Sequence, residues 1–413
     1  MFSLLSSIAI TNTIYLILGK SFEKRDIINL KNFSETAIYG FIYFSFISLL
    51  INFFSPLSTL INTLTFFIIF IIFLLKKKRI KKIKILFIIL TIFFCFFIIL
   101  FDTVFRPDAG LYHLPFIKIL NEEKIIFGLA NLHSRFGHVS IIQYSSAINN
   151  NFFSGDIAIL IPLASIYCFL TLYFVGDIFN FLFNKNKENC NKLSILFSLL
   201  ILIYISYKIN RYGEFGNDAI GHLLFFYLIS KIISYDKFNL LRFNKIYLIS
   251  VFIVLNKFTL ILSLLFPAYL FLKEKISLKK VVFTIPTLLL FLWIIRNVVV
   301  SSCVIYPQIN TCFTDLKWSN KKYIVHINEV SEAWAKDWPN RDKKNISMKE
   351  YNKDFNWFKT WQNNHLKKII KILIPYFLIL FLILFYFKFK IQNKFKFNFQ
   401  SYNFKIPLIV SFV

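Results

Sequence analysis

No stretch of this chain alternates apolar and polar residues as the short strands of a membrane β-barrel do, which excludes that fold. The amphipathic pattern of a soluble domain is missing as well. Of the 413 residues 57% are hydrophobic, 54 of them Phe, against roughly 45–50% apolar residues in ordinary domains, and mean hydropathy is +0.62. Negative charge is scarce, with 21 Asp and Glu against 48 Lys and Arg. A net charge of +27 in a soluble protein would suggest a nucleic-acid partner. Here the basic residues collect in short connectors between apolar runs, as the positive-inside rule predicts, so no nucleic acid is expected. No internal repeat or low-complexity linker is visible. The heavy use of Lys, Asn, Ile and Phe reads as a coding bias, and the aromatic count carries no functional weight.

What is present is a series of apolar runs of 17 or more residues, each long enough to cross about 30 Å of hydrocarbon as a helix. They predict an all-α polytopic membrane protein. Spans are read at about 1–18, 37–54, 58–75, 85–101, 156–182, 193–209, 218–234, 246–256, 258–272, 281–300 and 368–387. A twelfth begins at Ile406 and stops after eight residues, as if truncated. The first run has neither a basic leader nor a small-residue cleavage site and reads as a retained helix. The connectors 20–36, 76–84, 184–192, 231–245, 273–280 and 388–405 hold 27 of the 48 Lys and Arg but 6 of the 21 Asp and Glu. They are therefore assigned to the cytoplasm, and the other connectors to the far side. Charge parity makes Ile246 to Leu272 a hairpin with its apex at Asn256 and Lys257. A charge there costs roughly 2.5–3.5 kcal/mol unless it faces a cavity or a partner.

The densest basic stretch, KKKRIKKIK from Lys76 to Lys84, precedes the apolar run Ile85 to Phe101. Beyond that run, on the far side, come Asp102, Arg106, Asp108, Tyr112 and His113, then His133, Arg135 and His138. Pro115 to Ile126 reads as an interfacial helix with Phe116, Ile119 and Leu120 on one face and Glu122, Glu123 and Lys124 on another. Before it, DAGLYH forms a turn that points Asp108, Tyr112 and His113 toward the helices. Asp108 suits a helix N-cap. It suits equally a general base, an effect worth about 10²–10⁴ in rate. Arg135, Lys257, Arg211 and Arg296 are candidate phosphate partners, and each also suits a snorkelling interfacial residue. The three histidines lack the i,i+4 spacing of a zinc helix, so no tight metal site is expected. Asp102 and Asp108 could hold a divalent cation weakly.

Further along, Glu214, Asp218 and His222 recur at intervals of four and share one helical face if the helix extends back that far. Cys303 and Cys312 lie nine positions apart in the outer loop, a spacing that permits a disulfide outside the cytoplasm. Trp318, Trp334, Trp338, Trp357 and Trp361 follow, as a membrane-interface belt or as rings for stacking on sugars.

In DAGLYHLPFIK (Asp108 to Lys118), GLANLHSRFGH (Gly128 to His138), NKFT (Asn256 to Thr259) and RNVVVSSCVIYP (Arg296 to Pro307) the chain resembles bacterial multi-pass proteins of cell-surface polysaccharide loci, within or near the GT-C superfamily of membrane glycosyltransferases. The resemblance spans about residues 85–320. It implies an accessory segment 1–84, a core 85–300 with outer loop 102–155, an extracytoplasmic loop 301–367 and a C-terminal part 368–413. It further implies transfer of a sugar from a polyprenyl-phosphate donor to a glycan or lipid acceptor, with Asp108 as base or metal ligand beside Tyr112 and His113. This chain departs from the pattern in having its loop after the fourth span instead of the first. Two other readings stand beside it: an oligosaccharide polymerase or ligase leaning on Arg135 and Arg341, and a transporter or flippase, which should show internal symmetry and buried mid-span charges. Apart from Lys257 the sequence displays neither.

Overall fold

The computed structural model describes residues 2–23, 27, 29–75, 85–100, 107–183, 192–207, 209, 215–216, 218–235, 238–342 and 344–391. Among them the protein is all-α, with no strand beyond one bridge between Cys303 and Cys312. Asp102, Arg106, Arg211 and Glu214 and the expected twelfth span lie outside the described residues. Two compact units form. Among the described residues the first holds those up to Phe127 and His138–Arg296, the second Gly128–Gly137 and residues 297–391.

The first unit contains α1 (Phe2–Glu23), α2 (Leu30–Phe54), α3 (Thr59–Leu75), α4 (Ile85–Leu100), α5 (Leu114–Glu122), α6 (Ile141–Asn149), α7 (Ile161–Phe183), α8 (Lys192–Tyr207), α9 (Asp218–Ser234), α10 (Leu240–Asn256), α11 (Leu265–Lys273), α12 (Lys279–Val282) and, up to Arg296, α13 (Ile285–Ser301). Phe2–Glu23, Leu30–Phe54 and the run Asp156–Phe183 are long and apolar enough to cross a membrane. Thr59–Leu75, Ile85–Leu100, Leu193–Tyr207, Phe258–Lys273 and Ile285–Ser301 are shorter apolar helices.

The leading helices are part of the core of this unit. Gly19 and Gly40 let α1 and α2 meet backbone to backbone, since a Cβ at either would run into the carbonyl of Thr36 or Tyr15. Small residues allow such approach between apolar helices. Lys257 is extended and ends α10. The chain then turns back through a 3₁₀ segment, Phe258–Leu264, into α11. Ser263 Oγ reaches the Ser250 carbonyl at 3.3 Å and Phe271 meets Phe243 at 6.4 Å, pairings that put the apex of the hairpin at Asn256 and Lys257.

Two expectations change. DAGLYH is helical instead of a turn: Ala109–His113 is one π-helical turn running into α5. The helix then stops at Glu122 and buries Phe116, Ile117 and Leu120 within the unit. Asn52 of α2 accepts from the Ile125 N–H at 3.1 Å through its carbonyl and donates to the Glu123 carbonyl at 3.0 Å, pinning the segment after the helix.

The second change concerns charge. Residues that the sequence assigned to cytoplasmic connectors lie inside helices and are buried or half-buried against a counter-charge. Glu35 of α2 pairs with Lys231 of α9 at 2.7 Å, with 3% and 4% of their side chains exposed. Lys31 of α2 pairs with Asp177 of α7, whose second oxygen accepts from Ser194 and Ser198 of α8 at 2.7 and 2.9 Å. Glu23 at the end of α1 pairs with Lys245 of α10 and accepts from the Tyr43 hydroxyl. The three pairs join five helices at one end of the unit, and the two serines add α8 as a sixth. Charge counting sees each lysine singly and misses a partner that, for Lys231, is 196 positions away.

Breaking a buried pair by removing one partner leaves an uncompensated charge and costs about 3–5 kcal/mol. Lys231→Met should therefore lower the unfolding temperature of the purified protein in detergent, and the reversed pair Glu35→Lys with Lys231→Glu should recover part of the loss. Wild-type unfolding of Lys231→Met would show that the pair contributes no stability.

Candidate functional site

Every residue of α6 is buried, although Gln143, Ser145, Ser146 and Asn149 are polar. A helix leaves four N–H and four C=O groups without internal partners at its ends, and here water cannot supply them. Ser140 and Gln143 close the N-terminus as a capping box. At the other end Asn121 donates to the Ala147 carbonyl at 2.8 Å and Asn62 of α3 to the Asn150 carbonyl at 2.7 Å. Asn149 accepts from Thr11 at 2.9 Å and donates to Tyr15 at 3.3 Å, both on α1.

From the N-terminus of α6 a hydrogen-bonded path runs in two directions. Ser140 Oγ donates to Asn256 Oδ1 at 2.7 Å, at the hairpin apex. The next residue, Lys257, forms an ion pair with Asp218 at the start of α9, also 2.7 Å, with 24% and 60% of the side chains exposed. Gly221 makes this junction close, since a Cβ there would stand 3.0 Å from Asn256 Nδ2. In the other direction Gln143 Nε2 meets His113 Nδ1 at 2.7 Å. Gln143 Oε1 already accepts from the Ser140 N–H at 3.0 Å, so its amide nitrogen faces the imidazole. Nδ1 must then accept, and the neutral ring carries its proton on Nε2.

The expected site residues separate on this frame. His113, Lys257 and Asp218 are joined through Gln143, Ser140 and Asn256. The Tyr112 ring lies 4.4 Å from that of His113, tilted by 51°. Asp108 is exposed at the head of the π turn and makes no capping hydrogen bond, so it is not an N-cap. A π turn within a helix is often found at functional sites. His138 is exposed in the first unit, whereas His133 and Arg135 are exposed in the second. Arg296 has no accessible surface, a correction to its expected exposure to a substrate phosphate. Its Nε donates to Tyr144 of α6 at 3.1 Å, and the guanidinium lies 5.3 Å from the Trp293 ring and 5.8 Å from Phe116. Among the described residues no three His, Cys, Asp or Glu side chains group as metal ligands.

Sequence reasoning passed over Ser140 and Gln143. The S-x-x-Q spacing was the available signal, since it marks a helix start inside what reads as one long loop.

In the second unit Cys303 and Cys312 are joined by a disulfide. This unit continues through α14 (Lys321–Ala335), α15 (Met348–Asn352), α16 (Phe358–Trp361) and α17 (Lys367–Ile391). Its polar centre is Asp337, one-tenth exposed, which accepts from Asn340 and Asn364 at 2.7 Å each and pairs with His365 at 3.1 Å. Arg341 lies 3.9 Å over the Trp338 ring and donates to the Trp338 and Lys344 carbonyls.

The chain matches over residues 1–413 a family described as a domain of unknown function (DUF8201), and it belongs to that family. No curated protein and no solved structure matches it.

Burial by itself would raise the Asp337 carboxyl, but the bonds from Asn340, Asn364 and His365 outweigh burial and hold it below the usual carboxylate value. Its contribution to stability is complete above the unfolded value, about 3.9, and is lost as pH falls through the lower folded one. Asp337→Asn should flatten the acid limb of unfolding temperature against pH. Superimposable limbs would remove Asp337 from the acid response.

Proposed function

We propose that this member of the family is a multi-pass enzyme of the bacterial plasma membrane, with about eleven spans. It moves a sugar from a polyprenyl-phosphate donor to a cell-surface glycan or lipid acceptor on the extracytoplasmic face. The observation that carries the reading is the path from His113 through Gln143, Ser140 and Asn256 to the Lys257–Asp218 pair. It lies at the end of α9 and α10 opposite Lys231 and Lys245, the residues of the buried ion pairs. The 13 positions from Asp218 to Lys231 span about 20 Å of helix. With the basic connectors on the cytoplasmic side, the path faces outward. The disulfide in the second unit fits the same sidedness, because such bonds persist outside the cytoplasm.

In this reading Asp108 takes the proton of the acceptor hydroxyl as its oxygen attacks the anomeric carbon. The bond from that carbon to the donor phosphate breaks, and the electron pair leaves with the polyprenyl phosphate. Lys257 meets the charge that develops on the leaving phosphate, and His113 donates from Nε2. No metal is required for this balance; a divalent cation on Asp108 would act on the same phosphate.

A transporter or flippase of polysaccharide precursors is the second reading, and the Glu35–Lys231, Lys31–Asp177 and Glu23–Lys245 pairs favour it, since ionisable residues inside a membrane commonly mark a transport pathway.

Asp108→Asn should reduce sugar transfer from a labelled polyprenyl-phosphate sugar about 10²–10⁴-fold, with membrane insertion unchanged. Undiminished transfer would end the role of Asp108. Movement of the labelled lipid across the bilayer, without release of its phosphate, would select the transporter.

A further inference from the structure

The second unit contains a strained tip. Asp354 and Phe355 are consecutive and both left-handed, at φ 49° and 60°, a conformation that is uncommon for any residue with a side chain and an outlier for a bulky one. Strain of this kind persists only where neighbours over-determine it. Here Asn356 does so: its N–H bonds the Lys353 carbonyl at 3.0 Å and its side chain the Glu350 carbonyl at 2.9 Å, while the Phe358 N–H returns to the Phe355 carbonyl at 2.8 Å.

The pinned turn turns Phe355 outward, leaving it 73% exposed, with Phe358 46% exposed beside it. Trp357 links the two rings, at 5.8 Å from Phe355 and 6.1 Å from Phe358. Burial cannot explain a backbone that holds an aromatic ring in water. In the sequence on either side of the tip, residues 344–371 hold seven lysines against Glu350 and Asp354. Twelve positions after Phe355 comes α17, where Leu373, Ile374, Leu378 and Leu382 are exposed.

We propose that Phe355 and Phe358 insert into a phospholipid surface that carries anionic headgroups, with the surrounding lysines held against the phosphates. Aromatic rings favour the boundary between headgroups and acyl chains, and basic residues beside an apolar segment are drawn to anionic lipid. The inference rests on the membrane reading above, with residues 368–387 as a span.

The test uses the full chain in vesicles of phosphatidylcholine alone and of phosphatidylcholine with phosphatidylglycerol. A nitroxide is attached at Lys353→Cys or, as reference, at Leu378→Cys, with Cys190 replaced by Ser; Cys95 and Cys168 are buried and Cys303 and Cys312 bonded to each other. Collision with oxygen, which enters hydrocarbon, is compared with collision with a water-bound nickel chelate. The label at 353 should favour oxygen in the mixed vesicles, and should lose that preference in phosphatidylcholine alone or when Phe355→Asp is added. A nickel preference at 353 with an oxygen preference at 378 overturns the insertion alone and leaves the rings to a soluble partner such as a glycan. A nickel preference at both positions overturns the membrane reading with it. Oxygen preference at 353 in both kinds of vesicle overturns the requirement for anionic headgroups.

Discussion

A nine-residue helix with no exposed residue must find a partner for every backbone group at its ends, and the first unit is arranged around meeting that demand for α6. Asn62 and Asn121 supply its C-terminus, Ser140 and Gln143 its N-terminus, and Thr11 and Tyr15 hold Asn149. The same residues set the candidate site. Because Gln143 caps with its oxygen, its nitrogen faces His113. Because Ser140 caps while donating onward, it holds Asn256 and so fixes where Lys257 leaves α10. Local chain chemistry, packing and the orientation of two polar side chains are thus one problem with one solution.

Charge obeys the same rule at the opposite end. An ion in a medium of low polarity is retained when a counter-charge and further hydrogen bonds meet it. Asp177 illustrates this, with Lys31 on one oxygen and two serines on the other. Such groups specify which helices neighbour one another, a choice that apolar side chains alone leave open. The two ends of the unit therefore differ in kind. One is a set of enclosed pairs, while the other is a pair, Lys257–Asp218, with surface on it.

The sequence made part of this legible. Apolar runs located the helices, with ends up to about seven residues off, because hydrophobicity and length are local properties, and charge parity located the hairpin apex at Asn256 because the rule counts residues beside each run. Partnership was not legible. Glu35 and Lys231 read as connector residues, and Arg296 as a surface cation, because burial depends on helices far apart in the chain. Ser140 and Gln143 carried a signal in their spacing, but a helix start in a polar loop has no apolar run to draw attention to it. The π turn at Ala109–His113 has no composition that separates it from an ordinary loop, so the placement of Asp108 and His113 on one helical turn came from the structure alone.

The central claim is that Asp108, His113 and Lys257 face the side of the bilayer away from the basic connectors. Labelling Asp108→Cys in intact cells with a membrane-impermeant thiol reagent tests it most directly. The account predicts modification from outside without permeabilisation. Modification only after the cytosol is opened would contradict the orientation and, with it, the proposed chemistry.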